Sequence, residues 1–208
     1  MKSLIKWSVL FAGLAMLQAC AFVDQTVNLD YTPQGYAPKG SGEVVTGAPQ
    51  SAFINEVNAK GQLVVGTVRN GFNMKTADVI ADQDPAEWIS NALAEELKLA
   101  GYTVVPSDKP IIDDAPKAIE LTVTRVFADQ DTGLVTVGAI STLNYEIVVK
   151  SNGTKLLRLP VHYSGDVSDR SLIGNESLKS ASLKEALERS LSEAMPKVLE
   201  ALLNAQTS

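Results

Sequence analysis

Chemistry in this chain is confined to a few side chains, because its 208 residues hold one Cys and one His. A single thiol excludes an intramolecular disulfide framework and any Cys-cluster metal site. A single imidazole excludes the multi-His zinc patterns of metalloenzymes. His162 is therefore the one imidazole base available, and it stands near no G-x-S-x-G nucleophile elbow. A hydrolase combining His162 with a Ser and an Asp is the reading least supported by the spacing. Asp113-Asp114 is a carboxylate pair, but neighbouring residues of an extended chain point apart, and the flanking Pro110 and Pro116 mark a solvated loop. Asp129-Gln130-Asp131-Thr132-Gly133 opens like a calcium loop. It then fails, since Gly133 and Ile140 stand where an EF-hand needs a third ligand and a bidentate Glu. No metal and no cofactor are expected beyond a covalent lipid.

That lipid concerns Cys20. Lys2 and Lys6 precede an apolar run from Trp7 to Leu17. A run of about 11 residues fits a signal-peptide core and falls short of the ~20 that span a bilayer. It ends in Leu17-Gln18-Ala19-Cys20, which has the form of a lipobox. Leu17 and Ala19 offer a signal peptidase one bulky apolar and one small side chain. The Cys20 thiol takes a diacylglyceryl thioether, and its amine, freed by cleavage, takes a further acyl group such as palmitate. Several chains on one residue anchor firmly, at ~0.8 kcal/mol per buried CH₂. Residues 1–19 are thus expected as signal peptide. The mature chain keeps 24 acidic residues against 16 basic ones, a formal −8, which argues against nucleic acid as a partner.

The elements that follow fit one domain. Residues 20–52 are expected as the acylated Cys and a flexible tether, because residues 32–50 hold three Pro and four Gly; Val27 to Tyr31 alternates like an edge strand. Residues 53–205 are expected as a single α+β domain. Gln62 to Val68 reads as a buried strand. Asp84 as N-cap, Pro85 at the first turn and Glu87 open a helix that Gly101 closes. Ile119 to Thr124, Leu143 to Val149 and Leu157 to Tyr163 alternate with period two, which predicts antiparallel strands. Asn152-Gly153 joins the last two in a type I′ turn, and Pro160 marks an edge. Ser182 and Glu185 form a capping box for a closing helix with Pro196 inside it. The expectation is a mixed, mostly antiparallel sheet of four to six strands with two amphipathic helices packed on one face. The polar connection 164–180, with Asp166, Asp169, Arg170 and Asn175, is long enough to be a partner-binding loop.

The lipobox, the helix Trp88 to Ala100 running into Gly101-Tyr102-Thr103-Val104, and Ile119 to Val123 leading to Ala128-Asp129 resemble the YajG-type lipoproteins of Gram-negative bacteria. The Asn152-Gly153 hairpin and the Ala/Leu-rich closing helix fit the same family. That resemblance implies an outer-membrane lipoprotein facing the periplasm, with Ala21 in place of the Asp that retains lipoproteins in the inner membrane, and with no enzymatic residues to carry over. The strand-helix-strand opening also resembles auxiliary lipoproteins of lipid-export machines. The expected function is a non-enzymatic binding or scaffolding module of the cell envelope, with an auxiliary role in lipid or envelope-component transport as the alternative. An envelope protein or lipid is the expected partner, and the oligomeric state stays open.

Overall fold

The computed structural model describes residues 23–52, 57–70, 72–132, 137–166 and 176–205. The described strands form a nine-stranded sheet, accompanied by two long helices. The strands are β1 (Gln25–Val27), β2 (Gly42–Thr46), β3 (Gln50–Ser51), β4 (Val64–Arg69), β5 (Lys75–Ala81), β6 (Tyr102–Pro106), β7 (Ala118–Thr132), β8 (Val137–Ser151) and β9 (Thr154–Asp166). The helices among the described residues are α1 (Pro85–Leu99) and α2 (Glu176–Asn204). The architecture is α+β, as the patterning requires, but the sheet exceeds the expected four to six strands.

The strands beyond those expected are β2, β3 and β5, of five, two and seven residues. β7 is 15 residues long and pairs along its full length with β8, which in turn pairs with β9. Its other edge takes three parallel partners in succession: β2 at Ala118 and Ile119, β3 at Thr122 and Val123, and β4 at Ala128. β6 extends the sheet beyond β2, while β5 and then β1 extend it beyond β4. A two- or three-residue strand is too short to show alternation in sequence; a long neighbour supplies its ladder. At Gly66 a side chain would collide with the carbonyl of Ala128, so glycine permits the close approach of β4 to β7.

Both helices share one core with the sheet. The Asp84 side chain accepts from the N–H groups of Ala86 and Glu87, Pro85 occupies the first turn, and Gly101 at φ +101° closes α1. Trp88, Ile89, Ala92, Leu93 and Leu97 are buried beneath it. α2 begins at Glu176, six positions before the predicted cap. Ser182 is not a cap: it is buried inside the helix, where its hydroxyl meets that of Ser141 at 2.6 Å. A hydroxyl at mid-helix that finds a partner on the sheet leaves the same sequence signature as a capping residue. α2 then buries Leu183, Leu187, Leu191, Met195, Val198 and Leu202, and continues through Pro196 as one helix. The Asn152-Gly153 turn has both residues at positive φ, as a type I′ turn demands. Pro160 lies on β9, which pairs with β8 alone among the described strands.

The tether expectation for residues 32–50 is corrected. Residues 23–52 contribute β1, β2 and β3, and Val27, Leu29 and Val44 are fully or almost fully buried. Pro and Gly composition underestimates ordering here because the segment borrows its enclosure from the domain. The clamp is Glu96, a carboxylate with 0% exposure on α1. It accepts from the Tyr31 hydroxyl at 2.5 Å and from the backbone N–H groups of Gln34 at 2.6 Å and Gly35 at 2.8 Å. Burial and the adjacent Glu96 carboxylate push the Tyr31 phenol well above its ordinary range, so it stays a donor. Trp88 adds a bond from its indole N–H to the Asp30 carbonyl at 3.2 Å.

Replacing Glu96 with Ala removes the acceptor for all three donors. Each stranded donor costs about 1–3 kcal/mol if it stays buried. The expected result is a lower unfolding midpoint in urea together with new protease cleavage within residues 31–41. A variant as stable and as resistant as the parent would show that Glu96 does not hold this segment.

Candidate functional site

One end of the sheet collects the polar side chains that deserve a functional reading. β4 runs parallel to β7, so the C-terminal ends of both strands lie together. β5 folds back antiparallel to β4, with Asn70 and Met74 bonded at the turn between them, and β1 lies parallel to β5 with Gln25 opposite Val79. The start of α2 packs over the same end: the Lys179 ammonium donates to Gln25 Oε1 at 2.7 Å and lies 3.4 Å from Gln130 Oε1.

Asp129 is the centre of this cluster. The Arg69 guanidinium grips it with Nε to Oδ1 at 2.9 Å and Nη2 to Oδ2 at 3.0 Å, a bidentate pair. The Thr67 hydroxyl donates to Oδ1 as well, and so does the Gln130 backbone N–H at 2.9 Å. Gln130 then ties back to β4, donating from Nε2 to the Arg69 carbonyl at 2.7 Å. Burial opposes ionisation of Asp129, but the Arg69, Thr67 and Gln130 donors outweigh it and hold the carboxyl below its ordinary value. The calcium-loop resemblance at this position therefore has a structural explanation: the carboxylate is committed to Arg69. Among the described residues there is no group of three or more His, Cys, Asp or Glu that could hold a metal ion.

The other sequence candidates are dispersed. His162 is exposed on β9, opposite Asn144 of β8. Asp113 leaves its pair with Asp114 and binds the Lys150 ammonium at 2.9 Å, and Glu120 binds the same ammonium at 2.7 Å. This second cluster lies near the β8–β9 turn, at the end of the sheet opposite Asp129. Asp166 terminates β9, paired with Ile140. Asp169, Arg170 and Asn175 lie outside the described residues, as do Leu17, Ala19 and Cys20. β9 ends and α2 starts at the Asp129 end of the sheet. The pairings Arg69–Asp129, Lys179–Gln25 and Lys179–Gln130 were invisible to sequence reasoning; they span 60, 154 and 49 residues, and no local spacing announces them.

The arrangement is a set of ion pairs and hydrogen bonds that joins β1, β4, β7 and α2. It fixes where the chain enters the domain. Asp24 contributes to the same junction, accepting from the Asp78 N–H at 3.1 Å. Among the described residues no helix is long and apolar enough to cross a membrane.

A family model described as an uncharacterised lipoprotein matches residues 61–204. No curated protein matches. Among solved structures, protein XCC0632 from Xanthomonas campestris, assigned to family DUF330, is similar with a TM-score of 0.56 and 14% identity, covering 89% of this chain and 99% of its own. That likeness shows a shared fold. Lipoprotein GNA1162 from Neisseria meningitidis gives a TM-score of 0.39 and 12% identity, covering 73% of this chain and 99% of its own.

The depressed Asp129 carboxyl makes a signed prediction. Its contribution to stability is complete above the ordinary carboxylate value of 3.8 and is lost as pH falls through the lower folded value. Asp129→Asn should lower the melting temperature at pH 7 and flatten its decline below pH ~4. Melting curves from neutral pH to pH ~2.5 read both effects. An unchanged acid slope would show that the Arg69 pair contributes nothing to folding.

Proposed function

The chain belongs to this family of uncharacterised lipoproteins, and we propose that it is a non-enzymatic binding or scaffolding module, anchored through acylated Cys20 to the outer membrane and facing the periplasm. Within the family we place it with the YajG-type, on the lipobox, the α1–Gly101 junction and the Asn152-Gly153 hairpin. The observation that carries the binding role is β9. This 13-residue strand has one neighbour in the sheet among the described strands, and Arg158, Pro160, His162 and Ser164 are exposed along it. An open edge of that length offers backbone donors and acceptors to an added strand. Pro160 interrupts the row of donors, which limits pairing with identical copies and leaves the segments on either side for a partner of matching register.

The anchor supports this role physically. A module held at a membrane meets membrane-bound partners at raised effective concentration, so a modest edge contact suffices. The exposed His162 needs no catalytic role in this reading; its place is on the docking edge. The partner expected is an envelope protein.

Two measurements test the proposal. Cys20→Ser should abolish incorporation of labelled palmitate in cells, and continued labelling at the parental level would sink the anchor. A photo-reactive residue placed at His162 or Ser164 should cross-link one discrete envelope protein in living cells, while the same residue at Lys98 on α1 should not. Equal capture from both surfaces, or none from β9, would overturn the edge-binding role.

A further inference from the structure

We propose that the β4–β5 turn is a second membrane contact, with Phe72 and Met74 inserted into the lipid surface beside the acylated N-terminus; this rests on the anchoring of Cys20 proposed above. Phe72 is 81% exposed and Met74 57%, the first being the most exposed of the large apolar side chains described. Both stand on a built turn. The Asn70 carboxamide oxygen accepts from the N–H groups of Phe72 at 3.0 Å and Met74 at 3.1 Å. The Asn70 N–H donates to the Met74 carbonyl at 3.0 Å, and Asn73 takes the left-handed conformation at φ +60°. Arg69, itself gripped by Asp129, donates from Nη1 to the Asn73 carbonyl at 3.1 Å. The apolar pair is thus held outward by a polar brace rooted in the sheet.

The occupant follows from the length of chain ahead of the domain. Asp24 is fixed beside Asp78, so four residue steps separate Cys20 from a pinned position. Extended chain covers at most ~3.6 Å per residue, a leash of about 14 Å. Because β1 and β5 are parallel, the step from Gln25 back to Asp24 points along β5 towards Lys75 and the turn. From Asp78 to Lys75 is about 10 Å at ~3.3 Å per residue, and the turn lies just beyond. A leash of that length is enough to bring Cys20 to the level of the turn. Val23, 62% exposed, lies on the leash between them. A chain with a formal mature charge of −8 gains little by charge from an anionic surface, so the contact must be apolar, and the turn presents apolar side chains at that level. The surface it fits is a phospholipid bilayer.

The test uses the mature acylated protein, whose sole native thiol is consumed by lipid. Phe72→Cys and Met74→Cys each add a unique site for an environment-sensitive fluorophore. Leu156→Cys, exposed beside the β8–β9 turn at the opposite end, serves as the reference. Each protein is reconstituted into phosphatidylethanolamine–phosphatidylglycerol vesicles with and without brominated acyl chains, and anchoring is verified by flotation. The proposal expects blue-shifted emission, quenched by the brominated chains, from labels at 72 and 74, with emission from 156 unchanged. Floating protein whose labels at 72 and 74 emit as in water would overturn the turn contact and leave the anchor standing. Equal quenching at all three positions would overturn it as well, by removing the end-on orientation. Protein that fails to float would overturn the anchor and this contact together.

Discussion

Strand β7 is the constraint on which the structure depends. Its 15 residues carry β8 on one edge and β2, β3 and β4 in turn on the other. No short strand in that group could exist alone, since two to six residues cannot bury enough surface to offset the entropy of fixing them. Each persists because β7 presents a ready row of backbone partners. The helices complete the arrangement by covering one face, and the shared core runs from Val27 through Leu121 and Tyr145 to Leu202. A break in β7 would release elements from both halves of the chain at once, which makes the fold strongly cooperative.

This dependence explains what could be read from the residues and what could not. The three long strands, the Asp84 cap and the Asn152-Gly153 turn depend on neighbours two to four positions away, and their signals are local. β2 and β3 depend on residues tens of positions distant, and a Pro- and Gly-rich composition masked them. The Ser182 capping box misled because a buried hydroxyl bonded across to Ser141 has the same spacing as a cap. Cys20 was conspicuous through its motif, whereas Arg69 and Lys179 became interpretable once Asp129 and Gln25 were placed beside them. A bidentate pair across two strands leaves no pattern in a single chain.

The corrected N-terminal segment changes the physical character of the proposed anchor. A flexible tether of some thirty residues would let a domain tumble at a distance, with its orientation averaged away. Glu96 and the Asp24 contact instead hold the chain to within a few residues of Cys20. If the chain is anchored through Cys20 as proposed, so short a linkage would make the anchor orientational as well as positional. The Asp129 cluster has a purpose in that setting, because it joins the strand at the chain entry to β7 and to α2, so force on the N-terminus is delivered to the sheet's spine and not to a loop.

Orientation then divides the molecule into two ends with different chemistry. The entry end holds Phe72 and Met74 on a braced turn, while the opposite end holds the Lys150 pair with Asp113 and Glu120, together with the exposed Leu99, Ile111 and Leu156. β9 runs between the two ends, so a partner strand added to it would stand roughly along the membrane normal in the proposed orientation. Such a partner could itself be rooted in the bilayer and meet β9 along its length, with the two anchors aligning the registers before any hydrogen bond forms. Alignment of that kind removes much of the orientational entropy that edge pairing otherwise costs. In the proposed arrangement a weak edge interrupted by Pro160 would be specific: held in place by the anchor, it would need little affinity of its own, and free copies of the chain would lack the alignment that lets them compete.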